Sequence, residues 1–349
     1  MLRKLLAPLG YFTGAYARGW RSTAYRGCGL ALLYHRIAPH GGRGESPGFG
    51  VERGLPVDVF EAQMRFLLAH FRPLRTLDLL ANEPSPGRVG FSVTFDDGYR
   101  DNLSLAAPVL ARLGIPATLF VTTDFIGTER LFWWEQLGEL LRATREPALE
   151  LGALEPGLRS RWPLPERLAL HGFQARERAH WLISMALMRT PAPEIDVTLG
   201  RIALALRTPR REVGRAAPLL DWDDVRRWRT AGFEVGAHGA SHANLGLASE
   251  SEAQAEVRTS LAAVERETDA PAVLFAYPYG GPEHRSPGAE RALAAQGCRG
   301  AFTTDLGLVG PGSDRLRLPR VGLSSASQLA CSYHLAQAFA SPHTRQAVA

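Results

Sequence analysis

The chain has 349 residues, 45% of them hydrophobic and 21% charged, with a formal net charge of +5 at pH 7. That composition can bury a sizeable core and excludes a disordered chain. The arginine excess is scattered, with no run of five or six basic residues and no basic patch interleaved with aromatics, so nucleic acid is not an expected partner, while attraction to anionic lipid or glycan stays open.

The first segment, residues 1–28, opens with "MLRKLLAPLGYFTGAYARGW", a basic start and a short apolar stretch with Ala15 and Ala17 at signal-cleavage spacing. Pro8, Gly10 and Gly14 interrupt it, so a peripheral basic amphipathic segment is expected in preference to a cleaved signal. No run of 18 apolar residues occurs, and no membrane span is expected. Cys28, Cys298 and Cys331 are odd in number and lack CxxC spacing, which suits a reducing compartment. The expected location is therefore the cytoplasm, with peripheral contact to the inner membrane left open.

Strand candidates follow in order at 29–35, 91–95, 117–122, 233–238, 272–278, 300–304 and 315–321. Seven short apolar runs separated by helical stretches imply parallel βα units. Helices are expected from Val57 to Phe71, over "NLSLAAPVLARLG" with Gly114 as the stop, and over "SESEAQAEVRTSLAAVERE", where Ser249 and Glu252 have capping-box spacing. Between about 127 and 220 the strand signals vanish and a Leu/Arg/Trp-rich stretch punctuated by prolines takes over. The expected layout is a barrel over 29–349 interrupted by a helical insertion at about 127–220.

Three motifs carry chemistry. "FSVTFDDGYRDNL" places Asp96 and Asp97 where a strand ends, a position that suits either helix capping or an active site at the carboxyl ends of parallel strands. "GAHGASHANL" places His238 and His242 four residues apart, expected on one face of a helical turn, where two imidazoles can grip one metal. Two imidazoles and one carboxylate make the three-donor set of hydrolytic centres, and the second carboxylate is then free to take a proton from the attacking water. The same donor set serves non-haem iron oxygenases, but no Arg/Lys pair is placed for an oxo-acid cosubstrate. "FAYPYGG" forces a tight loop after a further strand, with backbone N–H groups that can face the site or simply turn the chain. In "LFWWEQL", Trp133 and Trp134 offer sugar-stacking faces, with plain packing as the alternative.

In their order Asp-Asp, HxxxH and PYG, these motifs resemble the polysaccharide deacetylases of carbohydrate esterase family four, the NodB-homology group. The resemblance covers roughly residues 29–125 and 220–323. It implies an α/β fold, a distorted parallel (β/α)7-type barrel, with Asp96 as base, Asp97, His238 and His242 as metal ligands, and the Tyr279 backbone N–H as oxyanion donor. The family's third motif commonly carries an arginine paired with the base, where this chain has Ala276. Arg320 in "LPRVGL" is a candidate replacement, although a surface strand-end role is expected for it. Gly239 and Ala243 replace the usual residues after each histidine. The general-acid motif Leu-x-x-His stands at the N-terminal side as "LLYH", ending in His35, as in a permuted exopolysaccharide-deacetylase subgroup; a strand-end histidine bonded in the barrel mouth is the alternative.

The implied function is a divalent-metal hydrolase, with zinc expected and cobalt, nickel or iron open. It would remove an N-acetyl or O-acetyl group from an amino sugar of a bacterial surface polysaccharide or lipid-linked glycan precursor. Alternatives are a deformylase of a lipid-linked amino sugar and a crippled glycan-binding protein. The implied partner is an acetylated amino-sugar glycan or glycolipid.

Overall fold

In the computed structural model, which describes residues 14–40, 49, 53–81, 88–151, 156–210, 219–324 and 327–348, the apolar runs form one parallel sheet. Its main path runs through β1 (Gly29–Tyr34), β2 (Gly90–Phe95), β3 (Ala117–Val121), β4 (Glu234–Ala237), β5 (Leu274–Ala276), β6 (Gly300–Phe302) and β7 (Val321–Gly322), and a two-residue eighth strand, Arg72–Pro73, pairs with β2 off that path. Their spatial order is β6-β5-β4-β3-β2-β1-β7, with every neighbouring pair parallel. Leu318, just before β7, forms a parallel bridge to Phe302 of β6 and so links the two ends of the sheet. The sheet is thus curled into the distorted barrel that the family resemblance implies. The last expected strand, 315–321, enters the sheet only as β7 and this bridge.

Period-two alternation divides each strand between two environments. Phe91, Val93 and Phe95 of β2 face outward and join the main core with Phe60, Met64 and Leu67 of the Val57–His70 helix. Each such buried side chain contributes about 1.5–3 kcal/mol. Ser92 and Thr94 belong to the other face, where Ala31, Phe120, Ala276, Phe302 and Leu318 form a separate, smaller cluster. The Glu250–Thr268 helix starts as expected: the Ser249 side chain accepts from the Glu252 N–H, and Glu252 accepts from the Ser249 N–H at 2.8 Å.

Between β3 and β4 the chain builds a second core from Leu137, Leu141, Ile183, Leu187, Leu199 and Ile202, on the helices Trp133–Ala143, Gly172–Leu187 and Ala192–Ala205. This largely helical stretch also holds one short strand pair. Ala148–Glu150 and Arg167–Ala169 pair antiparallel. Each strand is three residues long and buries one side chain, Leu149 or Leu168, too short a pattern to read as alternation. Of the expected N-terminal segment, residues 1–13 lie outside the described residues. Ala15–Trp20 is a helix whose Trp20 packs against Phe71 and Phe339. Among the described residues, no helix is long and apolar enough to cross a membrane.

Candidate active site

Because the strands are parallel, the residues that follow them collect at one end of the barrel. His35 follows β1, Asp96 and Asp97 follow β2, His238 follows β4 and Tyr279 lies beyond β5. These five and His242 line a single cavity of about 550 Å³.

The alternation of β2 continues into the loop, so Asp96 shares the inner face with Ser92 and Thr94. There it meets Arg320. The guanidinium donates to both carboxylate oxygens at 2.7 Å and, through Nε, to the Thr303 carbonyl at 2.9 Å. Arg320 is 1% exposed, which overturns the expectation of a surface arginine. Burial alone opposes ionisation of Asp96, but Arg320 overrides it and holds the carboxyl down at about 2.

Asp97 Oδ1 lies 3.4 Å from Nε2 of both His238 and His242. The three donor atoms are all within 4.8 Å of one another. His238 Nδ1 sits 2.8 Å from the Ala276 carbonyl, which can only accept, so Nδ1 carries the proton and Nε2 presents a bare lone pair. Burial lowers the His238 pKa to about 4, which keeps the ring neutral. Asp97 Oδ1 is buried without a hydrogen-bond partner. Two imidazole nitrogens turned toward one buried carboxylate oxygen form a donor set that a divalent cation satisfies, and these residues fit one.

The histidine pair does not lie on a helical turn, contrary to the sequence expectation. His238 to Asn244 is an irregular loop in which Gly239 has φ 74° and His242 φ 62°. Glu256, from the following helix, braces it by accepting from the N–H groups of Ala240 and Ser241 at 2.8 and 2.9 Å and from the Ser241 hydroxyl at 2.6 Å. A Cβ at position 239 would meet Glu256 Oε2 and Pro278 Cγ at 3.2 Å, so the glycine that departs from the family pattern is the residue this loop requires. Asp97 and Tyr279 also have positive φ, 75° and 62°, so three of the five such non-glycine residues described are in this site. Backbone strain of this kind persists where surrounding structure fixes it, commonly at functional sites.

Aromatic residues form the next layer. The Tyr279 ring stands edge-on to His242 at 4.7 Å, and its hydroxyl accepts from Trp133 Nε1 at 2.9 Å. The Trp134 ring also stands edge-on to His242, at 4.8 Å, and its Nε1 donates to the Tyr99 hydroxyl at 3.1 Å. His35 is half-buried, its carbonyl accepts from Asn102 Nδ2 at 2.7 Å, and its side chain lines the same cavity. Sequence reasoning passed over Glu256 and the Gly172–Leu187 helix, which supplies the far wall of the cavity. Neither carries a local motif.

Fold and site together define a class: a parallel α/β barrel with a two-histidine, one-aspartate cation site at its strand ends and a second aspartate clamped by arginine. The family description "polysaccharide deacetylase" matches residues 85–152 and 194–297. The chain belongs to the polysaccharide deacetylase family. It is 32% identical over 115 residues to YxkH of Bacillus subtilis (strain 168), a match spanning 31% of this chain and only 37% of that relative. Its fold is similar to that of the deacetylase PplD of Streptococcus pyogenes, solved with acetate, at TM-score 0.54 and 16% identity over 89% of this chain and 97% of that one. IcaB from Ammonifex degensii is similar at TM-score 0.52 and 18% identity, over 88% and 98% of the two chains.

Proposed function

We propose that this protein is a metal-dependent hydrolase that removes an N-acetyl group from an amino sugar of a bacterial glycan. The observation that carries the reading is the division of labour between adjacent carboxylates: Asp97 Oδ1 faces two histidine nitrogens at 3.4 Å, whereas both oxygens of Asp96 are held by Arg320 at 2.7 Å. A divalent cation, zinc in the first instance, held by Asp97, His238 and His242 would polarise the amide carbonyl and acidify the attacking water.

Asp96 accepts the proton of that water. Its bidentate pair with Arg320 keeps it ionised and oriented, at the cost of basicity, so it serves as base only toward an acidified water. The Tyr279 backbone N–H is assigned to the developing oxyanion, and its loop is fixed by the Thr304 N–H donating to the Gly280 carbonyl at 3.1 Å. His35 protonates the departing nitrogen as the C–N bond breaks, releasing acetate and the free amine. An intact Arg320–Asp96 pair argues against a crippled glycan-binding protein, which needs no oriented buried base.

The test is acyl release, read as acetate or formate, from a panel of N-acetylated, O-acetylated and N-formylated amino sugars by protein reconstituted with zinc, cobalt or nickel. Acetate from the amide substrates supports the reading. Formate from N-formyl sugars in its place, or no acyl release with any metal, refutes it.

A further inference from the structure

The Gly172–Leu187 helix lies wholly within residues 153–193, the stretch between the two segments that match the family description. It nevertheless forms one side of the catalytic cavity. Gln174, Arg178, Trp181, Met185 and, just past the helix end, Met188 recur at intervals of three and four as a stripe facing the cavity, with Glu177 beside it, while Ala179, Leu182, Ile183 and Ala186 face the insertion core. Two contacts tie the helix to the site. Asn244 Nδ2, two residues beyond His242, donates to the Met188 carbonyl at 2.7 Å, and His180 Nε2 lies 3.0 Å from the Trp134 carbonyl.

Along this stripe the chemistry changes. Its first turns are polar and its last turns present Trp181, Met185 and Met188. Trp181 is 53% exposed at the cavity wall, and its one ring contact among the described residues is edge-on to Trp162 at 6.4 Å. A sugar ring has an apolar C–H face bordered by hydroxyls, and an open indole face flanked by amide, carboxylate and guanidinium groups matches it.

We propose that this helix is the substrate-selecting wall, with Trp181 the platform on which the sugar linked to the reacting amino sugar stacks. The site therefore takes linked amino sugars in preference to the free monosaccharide. This rests on the deacetylase reading for the identity of the substrate, but not for its test.

The experiment is calorimetric titration of the protein with a β-linked tetramer of N-acetylglucosamine and with free N-acetylglucosamine, for wild type, Trp181→Ala and Trp181→Phe. Wild type should prefer the tetramer. Trp181→Ala should weaken tetramer binding by about tenfold or more, and Trp181→Phe should retain most of it, because stacking needs a ring. Equal binding of tetramer by wild type and Trp181→Ala, no preference for tetramer in wild type, or equal losses in the alanine and phenylalanine variants would each overturn the proposal. If Trp181-dependent binding is seen but metal-loaded wild type releases no acetate from the tetramer, the wall stands and the deacetylase reading fails.

Discussion

Arg320, at the threshold of β7, grips Asp96, at the end of β2, across the intervening β1, with both carboxylate oxygens at 2.7 Å and both residues almost fully buried. Taking either partner away strands the other's charge in the barrel. Arg320→Met should therefore cost about 3–5 kcal/mol in denaturant unfolding and abolish turnover. The sign with pH follows from Asp96 lying at about 2, below the ordinary carboxylate value of about 3.9. The pair's stabilisation is complete above that ordinary value and lost as pH falls through 2, so wild type and Arg320→Met should converge in stability in strong acid. A variant as stable as wild type at pH 7 would show that the pair contributes nothing.

Metal retention separates the two aspartates. His238→Ala and Asp97→Asn should each lose most bound cation, and chelator should lower the melting temperature of wild type more than that of either variant. Unchanged metal content per chain in His238→Ala would remove that histidine from the ligand set.

Asp96→Asn should keep its metal yet lose turnover. It should also be less stable than wild type, because Arg320 is left facing a neutral amide. Metal analysis, acetate release and denaturation on one preparation check all three, and wild-type turnover in this variant would end the assignment of the base.

The strands and the convergence of Asp96, Asp97, His238 and His242 were legible because both rest on local patterns: apolar runs fix β1 to β6, and parallel connection puts their ends on one side. Arg320 was misjudged for the opposite reason. Nothing in "LPRVGL" reveals that its arginine turns inward, since that depends on β7 closing beside β1, one strand away from the Asp96 that ends β2. The histidine loop misled similarly. A spacing of four fits a helical turn, but Glu256, fourteen residues beyond His242, holds an irregular loop with positive φ instead.

His180 provides a pH dependence away from the proposed ligands. Burial lowers its pKa, and Arg142 adds to the effect. The unfolded chain, titrating near about 6.5, then binds the proton more readily, so stability is complete above that value and declines as pH falls below it. His70, His284 and His334 are shifted the same way, again chiefly by burial. Wild type should unfold at lower denaturant at pH 5 than at pH 7.5, and His180→Gln should shallow that slope. An identical slope in the variant would mean that His180 does not titrate on unfolding.

His35 is the test of the general acid. Expelling an amine from a tetrahedral intermediate requires a proton on nitrogen, and Asp96, locked to Arg320, cannot easily deliver it. His35 lines the cavity at the end of β1, with its backbone fixed by Asn102. His35→Ala should keep fold and metal and lower turnover on amide substrates by about two orders of magnitude. An activated phenyl ester has a leaving group that needs no proton, so on it the same variant should lose far less. The comparison of the two substrates is the measurement. Equal losses on amide and ester would make His35 a residue of structure or binding, and the proton donor would have to come from another side chain of the cavity.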